Sequence, residues 1–175
     1  MTGDSLRSAV RDVLQQGRVF LESVGEIAYA RTQDGIFGGS LGAHYRHVLD
    51  HFLCLVVGIR TGEVNYDERA RNSLLERSAA EARLVTDGLL NEFDLMTGEM
   101  LRQNCSVTYR VGYGTGNAGT VKSNIARELM FCVGHAIHHY AILKLLCAGT
   151  GVRLPYEFGI APSTLKHLEN EASAS

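Results

Sequence analysis

Histidine is concentrated in two short stretches of this 175-residue chain. Six of the seven histidines are His44, His47 and His51 in the first stretch, and His135, His138 and His139 in the second. Histidine is the side chain that most often binds metal ions in proteins, and residues four apart share one face of a helix. If the fold packs the two stretches side by side as helices, they assemble a three-histidine metal site.

The second stretch can be resolved by helical geometry. At 100° per residue, with His135 set at zero, His139 lies at about 40° and His138 at about 300°. The apolar residues of the same helix lie between about 40° and 120°, so His135 and His139 form the inward pair and His138 leans away. Glu128, at about 20°, is a candidate to accept a hydrogen bond from a ligand's second ring nitrogen, or to act as a reacting carboxylate.

The first stretch is not resolved by its spacing, which leaves His44, His47 and His51 all open as the third ligand. The alternative for a single histidine on an apolar face is a core side chain that is bonded to a backbone carbonyl. Other groups near the two stretches could also take part. The acid or base candidates besides Glu128 are Asp50, Tyr45 and Tyr140, and the nearby thiols are those of Cys54 and Cys132. Because the cysteines lie on apolar faces, we interpret them as core residues.

Four segments with helical periodicity must position these side chains. They span residues 5–28, 41–61, 73–93 and 120–148. Ser40 is a good cap for the second helix, and Gly62 ends it. Alternation at 105–111 predicts a short strand, and two prolines predict an irregular tail from about residue 152. The predicted fold class is all-α: an antiparallel four-helix bundle with a short β-hairpin or irregular segment before the last long helix. Sites in such bundles form between facing helices.

Length and composition predict one domain over residues 1–175 and exclude several kinds of partner. The formal net charge of −2 gives no basic footprint for nucleic acid. The longest apolar run, residues 52–59, is too short to cross a bilayer, and the first residues show no secretory signal pattern. The four cysteines form no Cys-x-x-Cys pair, which is typical of reduced thiols, so we expect a cytoplasmic protein.

Other cofactor motifs are weak or missing in the sequence. Residues 114–119 match Gly-x-Gly-x-x-Gly, but a dinucleotide fold also needs a second parallel strand, and none is predicted after the fourth helix. We interpret this motif as a flexible glycine loop. The sequence contains no Glu-x-x-His, which di-iron carboxylate bundles require, and no His-Glu-x-x-His of zinc proteases.

Several motifs of the chain resemble those of the DinB-like family. The segment LGAHYRHVLDHF at 41–52 is similar to the family's second-helix motif. NIAREL at 124–129, leading into GHAIHHY at 134–140, resembles its His-x-x-x-His helix. GEVNYD at 62–67 and FGIAPST at 158–164 resemble segments at the same relative positions in one bacterial branch of the family.

The resemblance implies a four-helix bundle, often dimeric, in which three histidines hold one divalent metal ion. Carried over by motif, the ligands are His47, His135 and His139, with His47 chosen because the last histidine of His-x-x-His matches the family position. The metal would be zinc, nickel or iron, and we expect a homodimer. His51 stands where some relatives have an acidic or amide residue, which leaves open whether it contacts the metal or the substrate.

A metal ion with three histidine ligands keeps open coordination positions, which are typical of catalytic sites. Family members of known activity include thiol-dependent transferases and isomerases. The resemblance therefore implies a metal-dependent transferase or hydrolase acting on a small molecule, with a low-molecular-weight thiol as a partner. The alternative is a non-catalytic, stress-associated metal-binding dimer. An acid or base group beside a solvent-open site would favour the enzyme, and a site closed by protein ligands would favour the alternative.

Overall fold

The computed structural model describes residues 3–32, 39–114 and 118–173. Within them the chain forms helices and three strands. In chain order they are α1 (Gly3–Ser23), α2 (Glu26–Ala30), α3 (Leu41–Thr61), β1 (Glu63–Asn65), α4 (Ser73–Arg77), α5 (Ala79–Asp94), α6 (Gly98–Arg102), β2 (Asn104–Arg110), β3 (Ala118–Asn124), α7 (Ile125–Cys147) and α8 (Pro162–Ser173). The interpretation of 114–119 as a glycine loop falls partly on residues 115–117, which lie outside the described residues.

The long helices α1, α3, α5 and α7 form the helical core. α3 packs against α7 and α5, and α1 packs against α5 and α7. Buried aromatic rings fill part of the space between them. Tyr45 of α3 stacks on Tyr140 of α7 with ring centroids 6.2 Å apart, and Phe158 stacks on Tyr140 at 4.9 Å. This packing holds α3 and α7 side by side, which is what the histidines of the two helices require.

Two of the predicted helices are each broken once. The first is divided into α1 and α2, with Gly25 in extended conformation between them. The third is divided into α4 and α5 at Ser78, which is also extended. The Ser78 hydroxyl accepts a hydrogen bond from the Glu81 N–H, and the Glu26 carboxylate accepts two more from the amides at the start of α5. The second break is stable because these oxygens satisfy amides that a continuous helix would have paired.

A three-stranded sheet packs beside the helices, so the all-α prediction is incomplete. β2 and β3 form the predicted antiparallel hairpin. β1, which the sequence pattern does not predict, pairs parallel to β2 with Glu63 opposite Ser106. It has three residues and follows the Gly62 that ends α3, so it is too short to show alternation. β3 takes residues assigned to the last long helix, and α7 therefore begins at Ile125 rather than near residue 120.

The prediction of an irregular tail is wrong for α8. Proline is tolerated at the first position of this helix, where its missing N–H is not needed, and the Leu165 N–H bonds to the Ala161 carbonyl. Before α8 the chain passes closely over α7 at Gly159, whose φ is +70°. A Cβ at Gly159 would lie 2.5 Å from the backbone nitrogen of Ala141, so both the conformation and the space require glycine there.

In the described ranges, α7 is the one helix that is long and apolar enough, by length and composition, to cross a membrane. The longest uninterrupted apolar run, residues 52–59, is therefore shorter than the longest apolar helix of the chain. α7 packs against α3 and α1 and carries three histidines. A core helix of a helical domain can have the same length and apolar composition as a membrane-spanning helix. The expectation of no membrane partner stays a prediction.

Candidate metal centre

The structure brings His47 of α3 together with His135 and His139 of α7. One ring nitrogen from each of these three side chains lies within 4.8 Å of the others. The Nε2 atoms of His47 and His135 are 3.0 Å apart. All three side chains are partly exposed. We call this group the histidine triad; its role as a set of metal ligands stays a prediction.

The separation of one pair of the triad suits two ligands of a single metal ion. Ring nitrogens about 2.1 Å from one ion lie about 3.0 Å apart at a right angle and about 3.4 Å apart at a tetrahedral angle. The His47–His135 separation of 3.0 Å falls at the short end of this range. The Nδ1 atom of His139 is buried and has no hydrogen-bond partner among the described residues. A ring nitrogen in that position is available as a ligand, and imidazole is a suitable ligand for zinc, nickel and iron.

The electrostatics of the triad also favour metal binding. Burial, together with the neighbouring imidazoles, lowers the pKa of His47 to about 2. Burial lowers the pKa of His135 to about 4 and that of His139 to about 3. The three rings are therefore neutral at pH 7. A metal ion binds only the deprotonated imidazole, so it meets no competing proton there.

The other histidines surround the triad. His51 is buried, and its Nδ1–H donates to the His47 carbonyl at 2.9 Å, which fixes the ring one turn along α3. Its ring centroid lies 4.0 Å from that of His135. His44 lies beside His139, with centroids 5.8 Å apart. His138 is exposed, as its helical angle indicates.

Glu128 supports the site indirectly instead of bonding to a ligand ring. Its carboxylate is fully buried and accepts hydrogen bonds from the Tyr66 hydroxyl at 3.0 Å, the Ser123 hydroxyl at 2.5 Å and the Arg127 guanidinium at 2.8 Å. The Tyr66 ring in turn stacks on His51, with centroids 5.3 Å apart. Glu128 thus holds the Tyr66 ring, which packs against His51, a neighbour of the triad.

Most of the remaining acid, base and thiol candidates pack or pair outside the triad, and Cys54 is a free, partly buried thiol packed against the core. Asp50 is buried and pairs with Arg46 at 2.6 Å. Tyr45 and Tyr140 stack in the core, where the Tyr45 hydroxyl hydrogen-bonds to Thr86. Cys132 is buried; its thiol contacts the His51 carbonyl at 3.7 Å, and burial raises its pKa to about 12. Cys132 is thus a core residue, as interpreted from its apolar face.

A cavity of about 580 Å³ opens beside the triad. His47, His51 and His135 line one part of it. The rest is lined by Asp67 and Arg69 from the loop after β1, and by Tyr109, Arg110, Val111, Gly112 and Tyr113 at the end of β2. The sequence interpretation gave Asp67 no role beyond its place in the family-like motif at 62–67, and it interpreted Arg69 as part of a solvated charged face. The two charges are visible in the sequence five and seven residues after Gly62, but only the parallel pairing of β1 with β2 places them here.

Comparisons with known proteins identify the fold. No family model matches the chain. The chain is 33% identical over 110 residues to a protein named FK506-binding protein 5 from Rhizopus delemar. The matched region covers 62% of this chain and 28% of that protein. The solved structure of a DinB-like protein, YjoA, from Bacillus subtilis matches with a TM-score of 0.66 and 15% identity, over 88% of this chain and 98% of that one. The chain therefore has the DinB-like fold that its motifs predicted.

Proposed function

We propose that this protein binds one divalent metal ion through His47, His135 and His139 and acts on a small molecule as a metal-dependent transferase or hydrolase. The observation that carries the proposal is the convergence of three ring nitrogens within 4.8 Å, beside a cavity open to solvent. The framework is an antiparallel four-helix bundle, which the packing of α1, α3, α5 and α7 supports. Zinc, nickel and iron(II) all suit three neutral imidazoles.

The open cavity favours an enzyme over a non-catalytic metal-binding protein. A bound divalent ion would supply a Lewis acid that polarises a substrate or lowers the pKa of a coordinated water or thiol. Asp67 lines the same cavity, and its Oδ2 atom is buried with no hydrogen-bond partner in the described parts of the chain. That oxygen can accept a proton from a thiol or water as it reacts.

The motifs resemble those of the DinB-like family, which includes thiol-dependent transferases, so a low-molecular-weight thiol is the first substrate class to test. A thiol sulfur is a good ligand for the proposed metals once it has lost its proton. The cavity gives a small molecule access to His47 and His135. Neither nucleic acid nor a membrane is part of the proposal.

We also propose a cytoplasmic homodimer. Met130 and Leu145 of α7 are apolar side chains that are 53% and 67% exposed. Covering such residues on a second copy would remove apolar surface from water. Light scattering on the purified protein tests this point: a mass of about twice 19.1 kDa supports the dimer, and a mass equal to one chain contradicts it.

The enzymatic proposal is tested by a panel of small thiols and electrophilic acceptors, assayed with protein loaded with zinc, nickel or iron(II). Wild-type protein and His138→Ala should show turnover, because His138 is exposed and outside the triad. His47→Ala should show only the uncatalysed rate. If wild-type protein and His47→Ala give the same rates across a broad panel, the non-catalytic alternative is favoured instead.

A further inference from the structure

We infer that the cavity beside the triad selects anionic small molecules, and that Arg69 binds the carboxylate or phosphate group of the substrate. This inference rests on the proposed function, because it names the substrate class for the same site. It is carried by the placement and the unused hydrogen-bonding capacity of one guanidinium group. Arg69 lies in the loop after β1 and lines the cavity together with His47 and His135.

The guanidinium of Arg69 is held in place but is only partly used. One of its Nη atoms donates to the Tyr66 carbonyl. Its Nε atom is buried and has no hydrogen-bond partner within the described residues. A buried donor without a partner is costly and calls for an explanation, which the binding of an anion would supply. The Nε–H and an adjacent Nη–H form the fork that binds a carboxylate or phosphate through two parallel hydrogen bonds.

The charges that line the cavity favour an anion. Arg69 and Arg110 contribute two positive charges, and Asp67 contributes the one negative charge among the lining residues. A bound divalent ion would make the cavity more positive still.

The arrangement implies a polarity for the bound substrate. Its anionic group lies against Arg69, and its reacting group lies towards His47 and His135 across the same cavity. Arg69 then determines specificity without contacting the reacting atoms. The shared chemistry is a short molecule with an anionic group at one end. A thiol bearing a carboxylate and a thiol bearing a phosphate both meet this description.

Isothermal titration calorimetry tests the inference with a matched pair of probes. The zinc-loaded protein is titrated with 3-mercaptopropionate and with 3-mercaptopropanol, which differ in the charge of one end. We expect the acid to bind about tenfold more tightly or better, because only its carboxylate can accept charge-assisted hydrogen bonds from Arg69. Arg69→Gln should remove this preference while the affinity for the alcohol and the zinc content stay unchanged.

Two variants control for charge and folding. Arg153→Gln removes the same charge from an exposed position outside the cavity lining and should keep the preference for the acid. Arg69→Lys keeps the charge but loses the fork, so it should retain part of the preference. If Arg69→Gln does not fold by circular dichroism, the Arg69→Lys titration decides. Equal affinity of the wild-type protein for the acid and the alcohol would overturn the inference.

Titrations of the metal-free protein separate this inference from the proposed function and identify the anionic group. Succinate and inorganic phosphate should each bind weakly to wild-type protein, more weakly to Arg69→Gln, and the tighter of the two identifies the preferred group. If the thiols fail to bind the zinc-loaded protein while this dependence on Arg69 persists, the anion site stands and the thiol proposal fails. If neither anion binds in an Arg69-dependent way, the anion site is wrong, whatever the thiols do.

Discussion

The hydrogen bond between Tyr66 and Glu128 is expected to contribute measurably to folding. Tyr66 is 1% exposed, and its hydroxyl donates to the Oε2 atom of a fully buried carboxylate at 3.0 Å. Tyr66→Phe removes that oxygen and leaves the ring, which stacks on His51 and lies tilted against Phe131. The carboxylate then keeps two of its three donors and loses the one that reaches Oε2.

The size of the effect follows from this geometry. A hydrogen bond to a charged group contributes about 1.5–3 kcal/mol, and burial prevents water from replacing the lost donor. We expect Tyr66→Phe to lower the free energy of unfolding by about 2 kcal/mol. In a chain of this length each kcal/mol shifts the melting temperature by about 2–4 °C, so the shift should be about 4–8 °C.

Urea unfolding of the metal-free protein, followed by circular dichroism, measures this loss. Tyr113→Phe is the matched control, because Tyr113 is fully exposed and water replaces its hydroxyl contacts. The control should change the free energy of unfolding by less than about 0.5 kcal/mol. A loss below about 0.5 kcal/mol for Tyr66→Phe as well would refute the reasoning that Glu128 depends on this donor.

Side chains around the triad give three more expected outcomes. His135→Ala and His139→Ala should each abolish zinc binding in calorimetry, whereas His138→Ala, on an exposed face, should retain it; equal losses in all three would contradict the geometry. Asp67→Asn should keep the metal content and lower turnover by about 10²-fold or more, and unchanged turnover would remove Asp67 from the proposal. The pKa values of His135 and His139 are lowered from 6.5 to about 4 and about 3, so below about pH 6.5 the unfolded chain binds protons that the folded chain does not. The metal-free protein should therefore need less urea to unfold at about pH 5 than at about pH 7.5, and equal midpoints would contradict the burial of these rings.

Local sequence signals predicted the helices that carry the site. Ser40 caps α3 through a hydrogen bond from the Ala43 N–H, and Gly62 ends it in the left-handed region with φ of 78°. Both features depend on neighbouring residues alone, so the sequence contains them directly. The helical angles likewise separated exposed His138 from the half-buried pair on α7.

Features that depend on distant residues could not be predicted in this way. The choice among three histidines on α3 requires the rotation of α3 against α7, which the packing of the whole bundle determines; only the family resemblance selected His47. Glu128 receives its Tyr66 partner from 62 residues earlier in the chain. Asp67 and Arg69 reach the cavity because a three-residue strand pairs with β2, and no local pattern reveals that pairing.

The central claim is that the histidine triad holds a metal ion, and elemental analysis tests it most directly. The protein should be purified without a polyhistidine tag, supplied with zinc, nickel and iron, desalted, and analysed by mass spectrometry for metal per chain. The account predicts about one equivalent of a divalent metal in wild-type protein and almost none in His139→Ala, which removes one of the three ligands. Less than about 0.2 equivalents in metal-replete wild-type protein would contradict it.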